Sequence, residues 1–354
     1  MSYPDLAAIF PFTHVDLTDQ IDVIPNLYGL TNELGLFPAE GKTSRIVEMR
    51  YDNHVLRVLP AKERGAAGTP AQSRTAKSIF VEIPHFPELD VIEPQDIQDI
   101  LIQVGNTKRP ITVQEEVAKR LIDIKATHDI TLEWLRCKAL QGQIVDGNST
   151  QIYDLYSLFG LTVGDYTVDF LLGTDTTDVA AKCATVIQSI TQNLKGEVSN
   201  GVEAIVDPDF FTAFVKHPKV AQYFLQAEQA VMLAMIVRQQ REGNMWGREF
   251  RFGNITWREY YGTAPVKASA TSAIASTPFW ASKKGTAFPI GTRKMFRTYN
   301  APAHDIRFVN TPGLAVYVSP EILEHGQGIE LRSESNPLPV VRRPEALVQI
   351  TSSN

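Results

Sequence analysis

Residues 112–142 read TVQEEVAKRLIDIKATHDITLEWLRCKALQG and form the stretch that decides the fold. Thr112 and Glu115 make a capping box, in which each side chain satisfies a backbone N–H group left open at a helix start. Apolar residues then recur mostly three or four positions apart, and Gly142 supplies a stop. A helix over 112–141 would be about 45 Å long at roughly 1.5 Å per residue, about three times an ordinary helix. Such a rod needs support along its length, so we interpret it as the spine of the molecule.

The bulk composition is that of an ordinary globular protein. The 354 residues are 44% hydrophobic and 21% charged, which permits one large core or two to three smaller ones. A net charge of −6 argues against a protein whose main function is electrostatic binding of nucleic acid. Cys137 and Cys183 are too few for a disulfide framework and indicate reduced thiols, as in a cytosol. The N-terminus lacks the basic and apolar segments of a signal peptide or membrane span, so we expect synthesis and action in the cytoplasm and no membrane partner.

The residues before the spine predict an arm followed by a long hairpin. Residues 1–40 contain four prolines among turn residues and short apolar groups, a pattern typical of an extended arm. Period-two alternation over 45–59 and again over 75–83 predicts two strands, joined by a small polar tip at 60–73. A two-stranded ribbon is marginal in water on its own. It either folds back on its own domain or lies on a neighbouring subunit, and the pattern favours neither.

Helical and strand-like segments alternate through the rest of the chain. In chain order they are a short helix over 94–105, a hairpin turning at 146–147, a helix over 179–194, a strand over 204–206 running into a helix at 208, helical order over 220–241, a strand pair over 245–261, a mobile loop over 264–278, and strands over 288–299, 314–318 and 347–350. The alternation after residue 178 predicts a second compact α/β domain.

The chain offers no positive signal for catalysis. It lacks the Gly-x-Ser-x-Gly, His-Glu-x-x-His, Cys-x-x-Cys and Gly-x-Gly-x-x-Gly motifs. His128-Asp129 and His304-Asp305 could contribute to a metal site, but neither histidine has a second ligand at helical spacing, so hydrogen-bonded side chains explain them better. Arginines and aromatic rings interleave between 238 and 251 and could contact phosphates and bases, although in an acidic chain interface contacts are the better interpretation. We therefore expect no enzyme, no cofactor and no metal.

Several segments, in order along nearly the whole chain, resemble the tailed-bacteriophage major capsid proteins of the lambda gpE type. They are Leu34-Gly-Leu-Phe-Pro38, Arg64-Gly65 with Gly68, Phe80-Val-Glu-Ile-Pro-His-Phe-Pro87, the spine end and its hairpin at 132–147, Val206-Asp-Pro-Asp-Phe-Phe211, Val215-Lys-His-Pro-Lys-Val220, Phe288-Pro-Ile-Gly-Thr292, Tyr299-Asn-Ala-Pro302 and Arg343-Pro-Glu-Ala-Leu-Val348. At the loop tip, the Ala-Ala and Thr-Pro pairs depart from the family's glycine and proline spacing.

The resemblance implies an α+β fold of the Hong Kong 97-like kind, with a long spine helix, an extended β-hairpin loop, and peripheral and axial domains. Its parts map onto an N-terminal arm at 1–40, an extended loop at 41–95, a peripheral domain at 96–178 with the spine helix at 112–141, an axial domain at 179–290, and C-terminal strands at 291–354 that complete both domains. It also implies hexamers and pentamers that form an icosahedral shell around packaged double-stranded DNA, which is contacted weakly and without sequence specificity. Scaffold, portal and decoration proteins are the implied partners, and the virion capsid, assembled in the host cytoplasm, is the implied location.

With this family in view, we expect the hairpin to lie across a neighbouring subunit and the arm to wrap another. The expected contact residues in the loop and the arm are Val47, Met49, Tyr51, Arg57, Arg64, Gly65, Gly68, Arg74, Phe80, Glu82, Phe86, Leu27 and Leu36. Two alternatives remain open. An encapsulin-like compartment would share the fold and hold protein instead of DNA, and a soluble α+β enzyme would be a monomer with turnover.

Overall fold

The computed structural model describes residues 14–24, 29–52, 76–98, 101–104, 107–195, 197–221, 247–267 and 271–354. The helices with bounds in these ranges are α1 (His14–Val23), α2 (Leu30–Glu33), α3 (Val113–Leu140), α4 (Leu155–Phe159), α5 (Val179–Asn193) and α6 (Pro208–Lys216). The strands are β1 (Ala39–Gly41), β2 (Ile46–Asp52), β3 (Ala76–Glu82), β4 (Phe86–Ile92), β5 (Leu101–Val104), β6 (Thr107–Pro110), β7 (Gln143–Val145), β8 (Gln151–Asp154), β9 (Thr167–Asp169), β10 (Gly201–Val206), β11 (Glu249–Phe252), β12 (Ile255–Glu259), β13 (Thr263–Lys267), β14 (Ile274–Pro278), β15 (Lys284–Ile290), β16 (Phe296–Asn300), β17 (Tyr317–Ile322), β18 (Ile329–Ser335), β19 (Pro337–Val341) and β20 (Val348–Thr351).

Helix α3 is the spine that the sequence predicts. The Thr112 hydroxyl accepts a hydrogen bond from the Glu115 backbone N–H at 3.3 Å, and the Glu115 carboxylate accepts one from the Thr112 N–H at 3.0 Å. The helix ends before Gly142, whose φ of +81° is left-handed and whose Cα faces the Tyr156 ring so closely that a Cβ would lie 2.0 Å from it. Both predicted ends are therefore confirmed, and Gly142 is required for backbone conformation and for space.

A six-stranded sheet carries the largest part of the core, in the order β11-β12-β10-β15-β20-β9. Strand β10 pairs in parallel with β12 and antiparallel with β15, while β20 lies between β15 and β9. An aromatic cluster made of Phe170, Phe210, Phe214 and Trp257 is fully buried between this sheet and α6. These rings pack edge-to-face or stacked on one another, which explains why this part of the sequence is rich in phenylalanine.

Two smaller sheets surround the spine. The sheet β17-β18-β4 packs its inner face against α1 and α3, in a second hydrophobic cluster that includes Leu17, Ile21, Leu121 and Val318. The sheet β1-β16-β19 has β1 parallel and β19 antiparallel to the central strand β16. Together with the six-stranded sheet, they give the spine the support along its length that a helix of 28 residues needs.

Most predicted elements after the spine are confirmed. Strands β7 and β8 form the hairpin after Gly142, and β11 and β12 form the aromatic strand pair. Helix α5 is capped by Asp178, whose carboxylate accepts a hydrogen bond from the Ala181 N–H at 3.1 Å, and α6 is capped by Asp207 and has Pro208 in its first turn. The predicted helical order beyond residue 221 lies outside the described residues.

Two local predictions downstream of the extended loop are wrong. The described residues of the segment 94–105 form a 3-10 turn at Pro94–Asp96 and strand β5, which pairs with β6, because the β-branched residues here favour a strand over the predicted helix. In the segment 264–278, for which the sequence predicts a mobile loop, the described residues 264–267 and 274–278 belong to the antiparallel strands β13 and β14. Ala264 and Val266 alternate with exposed neighbours and are buried, a period-two signal that the small, polar composition of the segment obscured.

The prediction of an extended arm over 1–40 is also wrong where the structure describes it. Residues 14–23 form α1, which buries Leu17 and Ile21 one helical turn apart against β17 and the spine. Residues 30–33 form α2, and β1 follows at the end of the predicted arm. The four prolines suggested continuous extension, but the described residues between them fold into short helices.

Candidate subunit-contact surfaces

The base of the extended hairpin has one buried and one exposed face. Strands β2 and β3 pair antiparallel with Val47 opposite Val81 and Glu48 opposite Phe80, so alternate pairs point to opposite sides. Val47, Val81 and Met49 are buried in the chain's own core. On the other side the Phe80 side chain is 67% exposed. A large aromatic ring held in solvent by a regular strand pair is a candidate anchor for another protein surface.

Those predicted contact residues that the structure describes differ in exposure, and the others lie outside the described residues. Phe80 and Glu82 are exposed, and Leu36 and Phe86 are partly buried against the core. Val47 and Met49 are buried by the chain's own residues, which leaves their side chains no surface for a neighbouring subunit in this conformation. Tyr51 lies in β2, while Leu27, Arg57, Arg64, Gly65, Gly68 and Arg74 lie outside the described residues.

Hydrogen bonds fix the hairpin base to the rest of the chain. The Ile83 N–H donates to the Arg45 carbonyl at 2.8 Å, which extends the pairing of β2 with β3, and the Tyr153 hydroxyl of β8 donates to the Glu82 carbonyl at 3.0 Å, which joins the hairpin to the rest of the chain. Just beyond β3, the His85 ring Nδ1 lies 2.8 Å from the Asn336 side-chain oxygen. The exposed face of Phe80 is therefore presented from a base that is held in place, which lowers the entropic cost of binding a partner.

A buried carboxylate joins the arm, the spine and the six-stranded sheet. The Glu133 carboxylate in α3 accepts hydrogen bonds from the Thr31 backbone N–H at 2.9 Å, from the Thr31 hydroxyl and from the Tyr260 hydroxyl at 3.1 Å. Arg136, one turn further along α3, donates to the Asn32 side chain and the Phe37 carbonyl, both at 3.3 Å. Burial raises the pKa of Glu133, and these donors and the Arg136 charge oppose that rise. We call these residues the Glu133 junction.

Replacing Glu133 with Ala is expected to lower the free energy of unfolding by about 2 kcal/mol. The substitution removes the acceptor of the buried Thr31 and Tyr260 donors and removes the carboxylate that most strongly offsets the Arg136 charge. Urea denaturation of the unassembled protein measures the change. Asp123→Ala, which removes an exposed carboxylate from the same helix, serves as the control and is expected to change little. Equal stability of the two variants would contradict a structural role for the junction.

His128 and Asp129 are hydrogen-bonded and paired interior groups. The His128 ring nitrogens Nδ1 and Nε2 lie 2.8 Å and 3.0 Å from the hydroxyl oxygens of Ser335 and Ser333. Burial lowers the pKa of His128 to about 4, so the ring is neutral at pH 7. Burial raises the pKa of Asp129 to about 6, against the opposing charge of Lys125 at 3.7 Å. Within the described ranges, no group of three or more His, Cys, Asp and Glu could hold a metal ion.

These two pKa shifts change the free energy of unfolding in opposite directions as the pH changes, and the two changes nearly cancel. The His128 pKa falls from 6.5 to about 4 on folding, so its contribution to stability is complete above pH 6.5 and is lost as pH falls towards 4. The Asp129 pKa rises from 3.8 to about 6, so its contribution is complete below pH 3.8 and is lost as pH rises through 6. Each amounts to roughly 3 kcal/mol at about 1.4 kcal/mol per pKa unit.

Two single variants should separate the two titrations. As the pH falls from 6.5 to 4, the free energy of unfolding of His128→Gln is expected to rise by about 2 to 3 kcal/mol relative to that of wild type. That of Asp129→Asn is expected to fall by as much relative to wild type. Urea denaturation at several pH values in this window measures both. If the two variants keep the wild-type slope, burial does not shift these groups as described.

Of the two described arginines in the segment near residue 250, Arg248 makes contacts within the chain and Arg251 is exposed. The Arg248 guanidinium donates to both carboxylate oxygens of Glu259 at 2.7 and 3.0 Å, and it lies over the Phe211 ring at 4.9 Å. The Arg248 pKa is raised chiefly by the hydrogen bond with Glu259. Arg238, Arg241 and Trp246 lie outside the described residues. Arg248 therefore serves the fold, while Phe250 is buried in the core.

The sequence reasoning missed the Glu133 junction. Glu133 occupies an inward position of the spine between Leu132 and Trp134, and a charged residue on a helix's buried side is the signal that could have found it. No helix in the described part of the chain has both the length and the apolar character needed to cross a bilayer.

Comparison with known proteins gives one family over almost the whole chain. A family model described as phage major capsid protein E matches residues 13–352. The major capsid protein of Pseudomonas phage KPP10 is 29% identical over 347 residues, and the match covers 96% of each chain. The major capsid protein of Salmonella phage Felix O1 (isolate Felix O1-VT1) is 29% identical over 356 residues, again covering 96% of each chain.

A solved structure shows the same fold. The crystal structure of a phage-related protein from Bordetella bronchiseptica RB50 matches with a TM-score of 0.52 at 11% identity, covering 95% of this chain and 96% of that one. The predicted α+β fold of the Hong Kong 97-like kind, with its long spine helix, is thereby confirmed.

Proposed function

This chain belongs to the phage major capsid protein E family, and from that membership we infer that its copies assemble as hexamers and pentamers into the icosahedral head of a tailed DNA bacteriophage. It is a structural protein of the virion capsid, as the sequence predicts, and its shell is built from repeated copies of one subunit. The family match over residues 13–352 carries this conclusion.

In the proposed assembly, each part of the chain has a separate role. The extended loop at 41–95 lies across a neighbouring subunit, and the arm at 1–40 contacts another. The axial domain at 179–290 packs around the five- and sixfold centres, and the peripheral domain at 96–178 carries the spine. The strands at 291–354 complete both domains. The exposed face of Phe80 supports the role of the loop, because the hairpin base is held by its own chain while that ring stays in solvent.

The remaining partners follow from the same proposal. The head encloses double-stranded DNA, which the shell contacts weakly and without reading its sequence, and assembly takes place in the host cytoplasm with scaffold and portal proteins. A decoration protein binds the outer surface. The chain works by repeated contact between copies, so neither catalysis nor a cofactor has a part in this proposal.

Electron microscopy of the expressed full chain tests the proposal. We expect negative-stain images to contain closed shells, tubes or isolated capsomers with fivefold and sixfold outlines. A protein that stays monomeric at high concentration and shows turnover would contradict the assignment. Shells that package protein and never DNA in infected cells would indicate an encapsulin-like compartment instead.

A further inference from the structure

Cationic side chains from three separate parts of the chain converge on the small sheet β1-β16-β19. Lys42 follows β1, Arg297 lies in β16, Arg342 follows β19, and Arg293 lies in the exposed turn before β16. The strand pairing brings them together, since Glu40 is paired with Tyr299 and Arg297 with Val340. We call Lys42, Arg293, Arg297 and Arg342 the Tyr299 cationic surface.

Tyr299 holds two of these cations on its ring. The Lys42 ammonium lies 5.0 Å and the Arg342 guanidinium carbon 5.9 Å from the ring centroid, which are cation–π distances. Arg342 also donates a hydrogen bond to the Tyr299 hydroxyl, while its buried Nε has no acceptor among the described residues. Arg297 donates to the Arg293 carbonyl at 3.1 Å. The charges of Lys42, Arg297 and Arg342 all act on the nearby Glu40, so the fold holds these three close together, and the Arg293 backbone adjoins them.

The surface has fewer carboxylates than cations. Glu40 accepts a hydrogen bond from Lys42, and that bond, with the charges of Lys42, Arg297 and Arg342, lowers the pKa of Glu40. At the edge, Glu197 pairs with Arg343 at 3.4 Å. Several arginines elsewhere are matched by acids of the same chain, although Arg251 in β11 is exposed without such a pair among the described residues. Arg120 contacts Asp90, Asp96 and Glu116, and Arg258 contacts Glu203 and Glu249. In a chain of net charge −6, this is a local excess of positive charge.

We propose that the Tyr299 cationic surface contacts the phosphate backbone of the packaged double-stranded DNA. The inference rests on the proposed function, which places every copy of the chain beside DNA. Duplex DNA presents one negative charge per about 1.7 Å of its axis, so a compact group of cations meets several phosphates at once without reading bases. A site of three or four cations binds DNA weakly, and salt weakens the binding further. Weak binding is what the inner surface of the shell needs, because DNA must still move along it during packaging.

An acidic segment of another protein is the competing partner. Duplex DNA is favoured because its phosphates present a regular, dense row of negative charge, and they are present at high density throughout a filled head. A second alternative is that the surface forms a contact between copies of the chain, which would bury it on assembly. The measurements below distinguish this alternative from DNA binding.

The test measures binding of a short DNA duplex to capsomers as a function of salt. Lys42→Gln/Arg293→Gln/Arg297→Gln is expected to reduce the slope of log affinity against log salt by roughly 2 to 3, at about 0.9 for each phosphate that is no longer neutralised, and to weaken binding at least tenfold in low salt. Lys216→Gln/Lys219→Gln/Lys284→Gln removes the same charge from exposed positions elsewhere and is expected to keep the slope. An unchanged slope in the first variant, or an equal loss in both variants, would overturn the proposal.

Two further measurements keep the result interpretable. Lys42→Arg/Arg297→Lys retains the charges and should bind as wild type does, which distinguishes lost charge from lost folding. Closed empty shells, which hide an inward surface, should bind added duplex more weakly than capsomers do. Equal binding would place the surface on the outside of the shell and overturn the assignment.

If the triple variant forms normal shells and keeps the wild-type salt slope, only this inference is refuted. If the wild-type chain forms neither shells nor capsomers, the proposed function is refuted. A loss of shells by the triple variant with DNA affinity unchanged would assign the surface to contacts between copies.

Discussion

Phe80→Ser is expected to abolish shell formation at protein concentrations where the wild-type chain assembles, while the subunit stays folded. The ring is 67% exposed in the single subunit, so its loss costs the fold little. If it anchors the hairpin on a neighbour, its truncation costs about 2 kcal/mol per contact, which is roughly a 30-fold weaker contact. Because every subunit makes the same contact, the loss is repeated around each capsomer. Light scattering and negative-stain microscopy against protein concentration measure the shift.

Val198→Ser provides the matched control for this assembly experiment. Val198 is 77% exposed in the segment between α5 and β10, so the substitution removes a comparably exposed apolar side chain away from the hairpin. We expect Val198→Ser to assemble as wild type does. Normal shells from Phe80→Ser would show that the exposed face of the hairpin base is not a subunit contact, and equal defects in both variants would remove the special role of Phe80.

Phe214→Ala is expected to lower the free energy of unfolding of the subunit by about 3 to 5 kcal/mol. The Phe214 ring is fully buried, and its centroid lies 4.5 Å from that of Trp257 and 6.1 Å from that of Phe210. Truncation removes buried apolar surface and leaves a cavity among rigid rings that cannot close around it. Chemical denaturation of the unassembled protein measures the loss.

Phe80→Ala is the control for this stability measurement, since it makes the same chemical change at an exposed position. We expect it to alter stability by less than about 1 kcal/mol. A loss of under about 1 kcal/mol for Phe214→Ala would mean that the aromatic cluster does not hold the six-stranded sheet and α6 together. The two phenylalanines should thus give opposite results, with Phe80 affecting assembly and Phe214 affecting folding.

Local chemistry made the spine predictable from the sequence. The capping box of Thr112 and Glu115 and the left-handed Gly142 act within a few residues, so nothing distant could override them. The same holds for the helix starts at Asp178 and Asp207, where a short polar side chain caps the first turn. The pairing of β2 with β3 followed from their period-two alternation, which the buried Val47 and exposed Phe80 illustrate.

Contacts between distant residues were not predictable in the same way. Glu133 meets Thr31 and Tyr260 only because the fold brings the arm and the end of β12 to the spine. The Tyr299 cationic surface forms through the pairing of β1 and β19 with β16, which no local pattern specifies. Composition gave a wrong prediction where packing determines the structure. In the segment 264–278, the small and polar composition predicted a loop, but Ala264 and Val266 are buried in strand β13. The family resemblance supplied the global arrangement that single-residue patterns lacked.

The position of β20 between β15 and β9 has a consequence for synthesis on the ribosome. A polypeptide released before residue 348 leaves β15 with an open edge and leaves β9 without the strand that joins it to the six-stranded sheet. We expect such truncated chains to lack a complete central sheet and therefore to be poor substrates for incorporation into a growing lattice.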